Sequence, residues 1–379
     1  MTLLQRYIFK SLMLTSFLAM GVFAFVLIVG NVLRDVVGLL ADGQLSLLMF
    51  VKLIGLLVPY VVAYALPLGI LTGVLLILGR LSAQNEITAM RSAGMSLFQI
   101  AAPVFFFALL GVAFTVVVNF HYAPTARDQY REDLRGAVRQ NPLNFIVEKQ
   151  FVRAFPGYIV YVGDKEGENL RDLWIWELND ERMVSKFLRA EGGSLGYDEE
   201  TQSLLLTVEH GYSGFRDSND PENLRDAPSA ISFESTRILL PLDQILGERT
   251  SSKRLSYMNF REVMAERERF MPHSVEAFDV ETFASLIRVQ MDIQERFAMA
   301  FSILSLTLIG IPLGIRIQRK ETSASLVIAL CLALAFYFTM IAVGWFEKEP
   351  DMRPDLLIWL PNLSFQALGI WLFLRVEKR

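Results

Sequence analysis

Six apolar runs set the framework of this chain, at about 11–33, 53–79, 97–119, 297–315, 323–346 and 356–374. A helix needs roughly 20 apolar residues to cross a bilayer core. None of the six runs contains Asp, Glu, Lys, Arg or His. The pattern predicts three membrane-spanning helices, a long polar insert, and three more. Pro59 and Pro67 in the second run predict a kink or a strong tilt. Gly69 with Gly73, and Gly310 with Gly314, have the spacing that lets helices approach closely.

The insert, about 121–296, follows a different period. Segments at 158–162, 173–178, 204–208 and 231–240 are β-branched or alternate apolar with polar, which predicts strands. Stretches at 163–169, 192–200 and 217–228 are rich in Gly, Asn, Asp and Pro, which predicts turns between them. Several short strands at this spacing imply a small sandwich or an open jelly roll. From 256 to 270, and from 280 into the fourth span, the apolar positions recur at helical spacing.

Composition agrees with that segregation. Hydrophobic residues are 53% of the 379 and charged residues 20%, with a net charge of -4. No basic block suggests nucleic acid. Cys331 is the single cysteine, so neither an internal disulfide nor a thiolate cluster can form. Arg6 and Lys10 precede a first run that is long enough to span, so it reads as an uncleaved helix rather than a signal peptide.

Charge in the short loops predicts orientation. Arg6, Lys10, Arg80, Arg91, Arg316, Arg319, Lys320, Arg375, Lys378 and Arg379 fall on one side. The other side holds Arg34, Lys52, Lys348 and Arg353 among six acids, Asp35, Asp42, Glu347, Glu349, Asp351 and Asp355. Positive charge marks the cytoplasmic side. Both termini are therefore expected in the cytoplasm and the insert outside. Trp345, Trp359 and Trp371 fall near span ends, where indole favours the interface.

Catalytic chemistry is sparse. Gly192, Gly193, Ser194, Leu195 and Gly196 match G-x-S-x-G, but that mechanism needs a strand, an elbow and a helix. Here the pentapeptide lies between strand-like runs and reads as a turn. His121, His210 and His273 lack metal-ligand spacing, and no P-loop occurs. With no charge at mid-membrane, an ion-coupled carrier is also disfavoured. The loop at 78–95 is the most informative segment. Ser82 is a candidate N-cap, and Ile87, Met90 and Ala93 or Gly94 recur at helical spacing, predicting a short amphipathic helix at about 82–94. Two readings of it stay open, a surface-lying connector and a coupling helix that docks into a soluble ATPase.

At this loop the chain resembles the lipopolysaccharide-export permeases, the LptF/LptG family. The resemblance rests on Leu66-Pro67-Leu68-Gly69, Leu78-Gly79-Arg80-Leu81 and the run from Asn85 to Gly94. Tyr122-Ala123-Pro124, Glu295-Arg296-Phe297, Gly310-Ile311-Pro312-Leu313-Gly314 and Trp359-Leu360-Pro361-Asn362 complete it. It implies three regions. Residues 1–120 hold spans one to three with the coupling helix, 121–296 a periplasmic β-jellyroll-like domain with a helical return segment, and 297–379 spans four to six. It implies a non-catalytic permease half that pairs with a homologous half as an LptF/LptG heterodimer. Its expected partners are an LptB-type ATPase dimer, an LptC-type periplasmic bridge protein, lipopolysaccharide and membrane lipids. ATP and magnesium would belong to the ATPase, leaving no cofactor on this chain.

By the same resemblance Glu86, Ile87, Met90 and Arg91 are candidates for coupling to the ATPase. Phe23, Val26 and Arg34 are candidates for the lipid path along the first span. Asn141-Pro142 and the compact β domain lean towards the F member. Two other classes stay open on the residues alone. One is another ABC-type or mechanotransmitting envelope permease acting on a different lipid or protein; the other is a membrane-anchored enzyme.

Overall fold

The computed structural model describes residues 3–32, 46–140, 148–152, 155, 157–167, 169–179, 183–198, 203–215, 229–241, 255–271, 280–316, 322–349 and 352–378. Helices α1 (Leu3–Leu27), α2 (Leu47–Ala83), α3 (Glu86–Ser92), α4 (Leu97–Val117) and α5 (Ala123–Gln140) precede a sheet. Helices α6 (Phe260–Arg269), α7 (Val280–Arg316), α8 (Thr322–Gly344), α9 (Pro354–Leu357) and α10 (Leu360–Glu377) follow it. Among the described residues six helical segments, the longest 38 residues, are long and apolar enough to cross a membrane. The chain is thus a multi-pass α-helical membrane protein with an inserted antiparallel sheet.

Two compact units share the chain: a helical one, 1–33 with 54–128 and 254–379, and one containing the sheet, 34–53 with 129–253. Within the helical unit α2 is the central rod. Of its apolar stretch 83% is buried, against 17% for α1 and 28% for α8. The helix continues through Pro59 and Pro67. The glycine pairs explain how its neighbours come so close. A Cβ on Gly73 would collide with Ser16, and one on Gly69 would lie 2.7 Å from the Met20 Cβ, both on α1. Gly310 and Gly314 of α7 meet Leu71, Val74 and Leu78 of α2 in the same way. Lipid tails supply no hydrophobic drive for helix association, so such backbone contact carries the packing.

A second device ties α7 to α10. Asn362 is fully buried; its Nδ2 donates to the Ala298 carbonyl at 2.9 Å, and its Oδ1 accepts from Ser305 Oγ at 2.6 Å. Gln366 Nε2 donates to the same Ser305 hydroxyl at 3.1 Å. Trp359, expected as an interface anchor, instead donates from Nε1 to Gln294 at 2.9 Å. Trp345 and Trp371 remain exposed.

The third span does not stop where its apolar run ends. One π-helical turn, Val118–Tyr122, joins α4 to α5. The turn places Asn119 so that its Nδ2 donates to the Arg296 carbonyl at 3.0 Å. The helical return segment starts later than its pattern suggests. Asn259 and Glu262 form a reciprocal capping box, and α6 begins at Phe260.

The sheet unit is one six-stranded antiparallel sheet with strands in sequential order. They are β1 (Phe151–Val152), β2 (Tyr158–Glu166), β3 (Asn169–Leu178), β4 (Val184–Asp198), β5 (Ser203–Phe215) and β6 (Ser229–Pro241). Side chains including Val160, Leu173, Leu188, Leu204 and Leu240 converge in one core. The expected turn at 192–200 is a correction. Gly192 to Gly196 lie inside β4, all paired with β5, and Gly192, Gly193 and Ser194 are also paired with β3. Gly193 is there because a Cβ would come within 2.5 Å of the Thr207 carbonyl oxygen. The glycines serve close strand packing, which mimics turn composition. The expected turn at 217–228 lies outside the described residues.

A crease crosses this sheet. The pairs that would join Gly163 to Asp172, Asp172 to Glu191 and Glu191 to His210 are missing, while register is kept on both sides. Asp172 and His210 are left-handed, each with φ 51°. The inward positions accordingly change parity: Leu170 and Leu173 are both buried on β3. Strict period two, which the sequence reading assumed, fails at this row.

Candidate functional site

The short helix α3 sits at the end of the bundle that carries both termini. Four side-chain hydrogen bonds gather that end. Gln5 Nε2 donates to the Gln99 carbonyl at 3.4 Å, and Arg80 Nη2 to the Tyr7 hydroxyl at 3.1 Å. Ser82 Oγ donates to the Ile315 carbonyl at 2.6 Å, and Arg91 Nη2 to the Glu377 carbonyl at 3.1 Å. Ser82 is therefore not the expected N-cap. Helix α2 runs through it to Ala83, and the break comes at Asn85, which is left-handed with φ 57°. Gly94 ends the segment with φ 87°, a conformation that favours glycine.

Amphipathicity sorts the candidate coupling residues. Ile87 and Met90 are 4% and 7% exposed and belong to the main bundle core. Glu86 and Arg91 are half-buried at the flanks. Thr88, Ala89, Ser92, Ala93 and Gly94 are exposed. The free face of α3 is small and smooth, and the apolar pair beneath it fixes it to the bundle. Sequence spacing marked Ile87 and Met90 but could not say which way they point.

Of the candidate lipid-path residues, Phe23 is half-buried and Val26 is 57% exposed on α1. Arg34 lies outside the described residues. Leu14, Leu18, Val22 and Phe25 extend the exposed apolar face of α1, at 62, 64, 63 and 68%. In this unit α1 covers α2 with one stripe and leaves the rest open.

A feature the sequence reading missed lies among α2, the π-helical turn, α5 and α7. A cleft of about 140 Å³ is lined by Tyr60, Tyr64, Asn119, Arg127, Glu295 and Arg296, among others. The Arg127 guanidinium stacks 3.6 Å over the Tyr60 ring. Arg296, with a side chain 10% exposed, meets Asp292 at 2.8 Å. It also donates to the Leu255 carbonyl at 2.6 Å and the Met258 carbonyl at 2.8 Å. Arg296 thereby pins the segment before α6 to the bundle, a use that explains Glu295-Arg296-Phe297 as an architectural motif.

Comparison with known proteins decides the family. The chain matches the family described as lipopolysaccharide export system permease LptF/LptG over residues 6–375. The chain belongs to the LptF/LptG family. Among LptF/LptG relatives, it is 20% identical to the lipopolysaccharide export system permease protein LptF of Escherichia coli (strain K12) over 340 residues. That match covers 88% of this chain and 85% of the relative. It is 26% identical over 198 residues to the LptG protein of Haemophilus influenzae, covering 48% of this chain and 54% of that one. An F-type assignment within LptF/LptG is compatible with both.

Proposed function

We propose that this chain is one permease half, of F type, in a transporter that extracts lipopolysaccharide from the inner membrane and passes it to a periplasmic bridge. The observation that carries the mechanism is α3: a seven-residue helix with Ile87 and Met90 buried in the bundle and a smooth exposed face between Glu86 and Arg91. An LptB-type ATPase dimer receives that face in a groove. ATP and magnesium act there, so this chain supplies no cofactor chemistry. Because α3 is bonded to α10 through Arg91, buries Ile87 and Met90 in the core, and follows directly on α2, which Ser82 ties to α7, motion of the ATPase reaches the spans as rigid displacement rather than as loop bending.

The exposed stripe of α1 faces a homologous permease half across a lipid-sized space, with Phe23 and Val26 along it and Arg34 beyond them. Guanidinium there would pair bidentately with a lipid phosphate, which lysine does not reproduce. The insert stands in the periplasm and hands lipid to an LptC-type bridge protein. Each methylene shielded from water on that route is worth about 0.8 kcal/mol. Family membership and the gathering of both termini at one end of the bundle support this reading.

Affinity purification through a tag on this chain tests it. Recovery of a homologous permease and an ATPase, with hydrolysis that responds to lipopolysaccharide, is the expected result. An ATPase that responds to a different lipid, or to none, would favour the mechanotransmitting alternative.

A further inference from the structure

The face of the sheet opposite its core carries an aromatic strip. Inward residues Val160, Leu173, Ile175 and Leu188 alternate with outward Tyr161, Trp174, Trp176 and Phe187. Trp174 and Trp176 stack with ring centroids 6.0 Å apart and planes 19° apart. Phe151, 60% exposed on β1, lies 5.2 Å from Tyr161 and 5.7 Å from Trp176. The strip holds two of the five tryptophans in the chain, both on the polar insert rather than in a span.

Beside the strip, at the crease, the surface opens into a cleft of about 690 Å³ lined by Arg171, Asp172, Arg189, Glu191, His210 and Tyr212, with others. Arg189 links the two features. Its guanidinium lies 4.4 Å over Trp174 and 3.4 Å from Asp172 Oδ1. Hydrogen bonds to Tyr212 and the nearby Asp172 carboxylate hold its pKa above the ordinary value. Trp174 Nε1 donates to the same Asp172 oxygen at 3.1 Å, so the ring is fixed. Glu191 and His210 are exposed at this cleft, and their side chains make no hydrogen bond or ion pair among the described residues. Left-handed Asp172 and His210 are costly conformations for residues with side chains, and both border it.

We propose that this face binds a saccharide, with a neutral sugar ring stacked on Trp176, Trp174 holding that ring and Arg189 in place, and the sugar hydroxyls bonded in the cleft to Arg189, Glu191 and His210. The C–H face of a sugar ring is apolar and faintly positive, and it complements the negative face of indole. Charge selects the ligand further. The cleft sets two guanidiniums, Arg171 and Arg189, against two carboxylates, Asp172 and Glu191. It therefore has donors and acceptors for hydroxyls but no net field for phosphate. Aromatic rings and arginine also mark protein interfaces, so a protein occupant is the competing outcome, read as no transfer to sugar. The inference deepens the export reading, on which it rests only for the source of the sugar.

The full chain in detergent is tested with oligosaccharide released from lipopolysaccharide by mild acid, followed by saturation-transfer NMR and tryptophan fluorescence. Transfer to sugar ring protons is expected, and Trp174→Ala or Trp176→Ala should weaken binding about tenfold. Trp176→Phe keeps a ring and should stay within a few-fold of the parent, which separates loss of the platform from loss of the fold. No transfer to the parent protein, transfer unchanged in both alanine variants, or competition by inorganic phosphate would each overturn the proposal. Sugar binding without lipid-responsive ATPase activity would leave the site standing and sink the export reading. Lipid-responsive activity without sugar binding would do the reverse.

Discussion

Arg91 Nη2 donates to the carbonyl of Glu377, 286 residues further along the chain, at 3.1 Å. That bond joins α3 to the last turn of α10. It makes the short helix part of the bundle rather than a flap on a loop. Arg91→Ala should loosen α3 and lower the ATPase activity driven by lipid, with little loss of ATPase co-purification. Arg91→Lys should restore only part, because an ammonium presents no planar fork. Activity equal to the parent in both variants would remove Arg91 from the coupling route.

The buried and exposed sides of α3 should behave differently. Ile87→Ala leaves a cavity in the main core and should cost about 2–5 kcal/mol, visible as a lower unfolding temperature. Ala89→Trp adds bulk to the exposed face, leaves stability within about 0.5 kcal/mol, and should abolish ATPase recovery. Glu86→Lys should also weaken recovery. A stable Ile87→Ala protein, or normal ATPase yield with Ala89→Trp, would contradict the assignment of faces.

Gly73 of α2 packs against Ser16 of α1 with no room for a side chain. Gly73→Val should push α1 away from Ser16 and cost about 1–3 kcal/mol by overpacking. Engineered cysteines at Tyr7 and Arg80, whose native side chains meet at 3.1 Å, in a chain with Cys331 replaced, should be joined by a short bifunctional thiol reagent in the parent and not in the Gly73→Val background. Undiminished cross-linking would mean the helices tolerate a side chain there.

The spans and the close-packed glycines were legible because their causes are local: run length, absence of charge, and a four-residue spacing. The sheet was partly legible. Strands β2, β3, β5 and β6 showed alternation, whereas β4 hid behind Gly192, Gly193 and Gly196, whose composition is that of a turn. The crease was invisible, because left-handed Asp172 and His210 break period two without a glycine to announce them. The candidate site was legible as a location and not as a surface. Spacing placed Ile87 and Met90 on one side of a helix, but only packing against the bundle decided that this side is closed. Arg127 and Tyr60 are 67 positions apart, so nothing local could pair them.

Arg296 reaches two backbone carbonyls with separate nitrogens, Nη1 and Nη2, whereas an ammonium would have to meet both from one atom. Arg296→Lys should therefore destabilise the bundle by about 1.5–3 kcal/mol, the value of one lost charged hydrogen bond, and Arg296→Ala by more. Limited proteolysis near residues 255–258 should accelerate in both. Unchanged cleavage would show that the segment is anchored elsewhere.

Orientation has its own test. With Cys331 replaced, a cysteine at Ser92 should be shielded from an impermeant thiol reagent in intact spheroplasts, and one at Glu209 should react. Both residues are exposed, so burial does not confuse the result. The reverse pattern would put the insert in the cytoplasm.

The central claim is that this chain couples hydrolysis on a partner to the release of lipopolysaccharide. Its most direct measurement is ATP-dependent transfer of lipopolysaccharide from proteoliposomes to a soluble bridge protein, compared between the parent complex and one reconstituted with Ala89→Trp. Transfer should require ATP in the parent and fall to the no-ATP background in the variant, although the permease still inserts and folds. Transfer at the parental rate with Ala89→Trp, or in the absence of this chain, would contradict it.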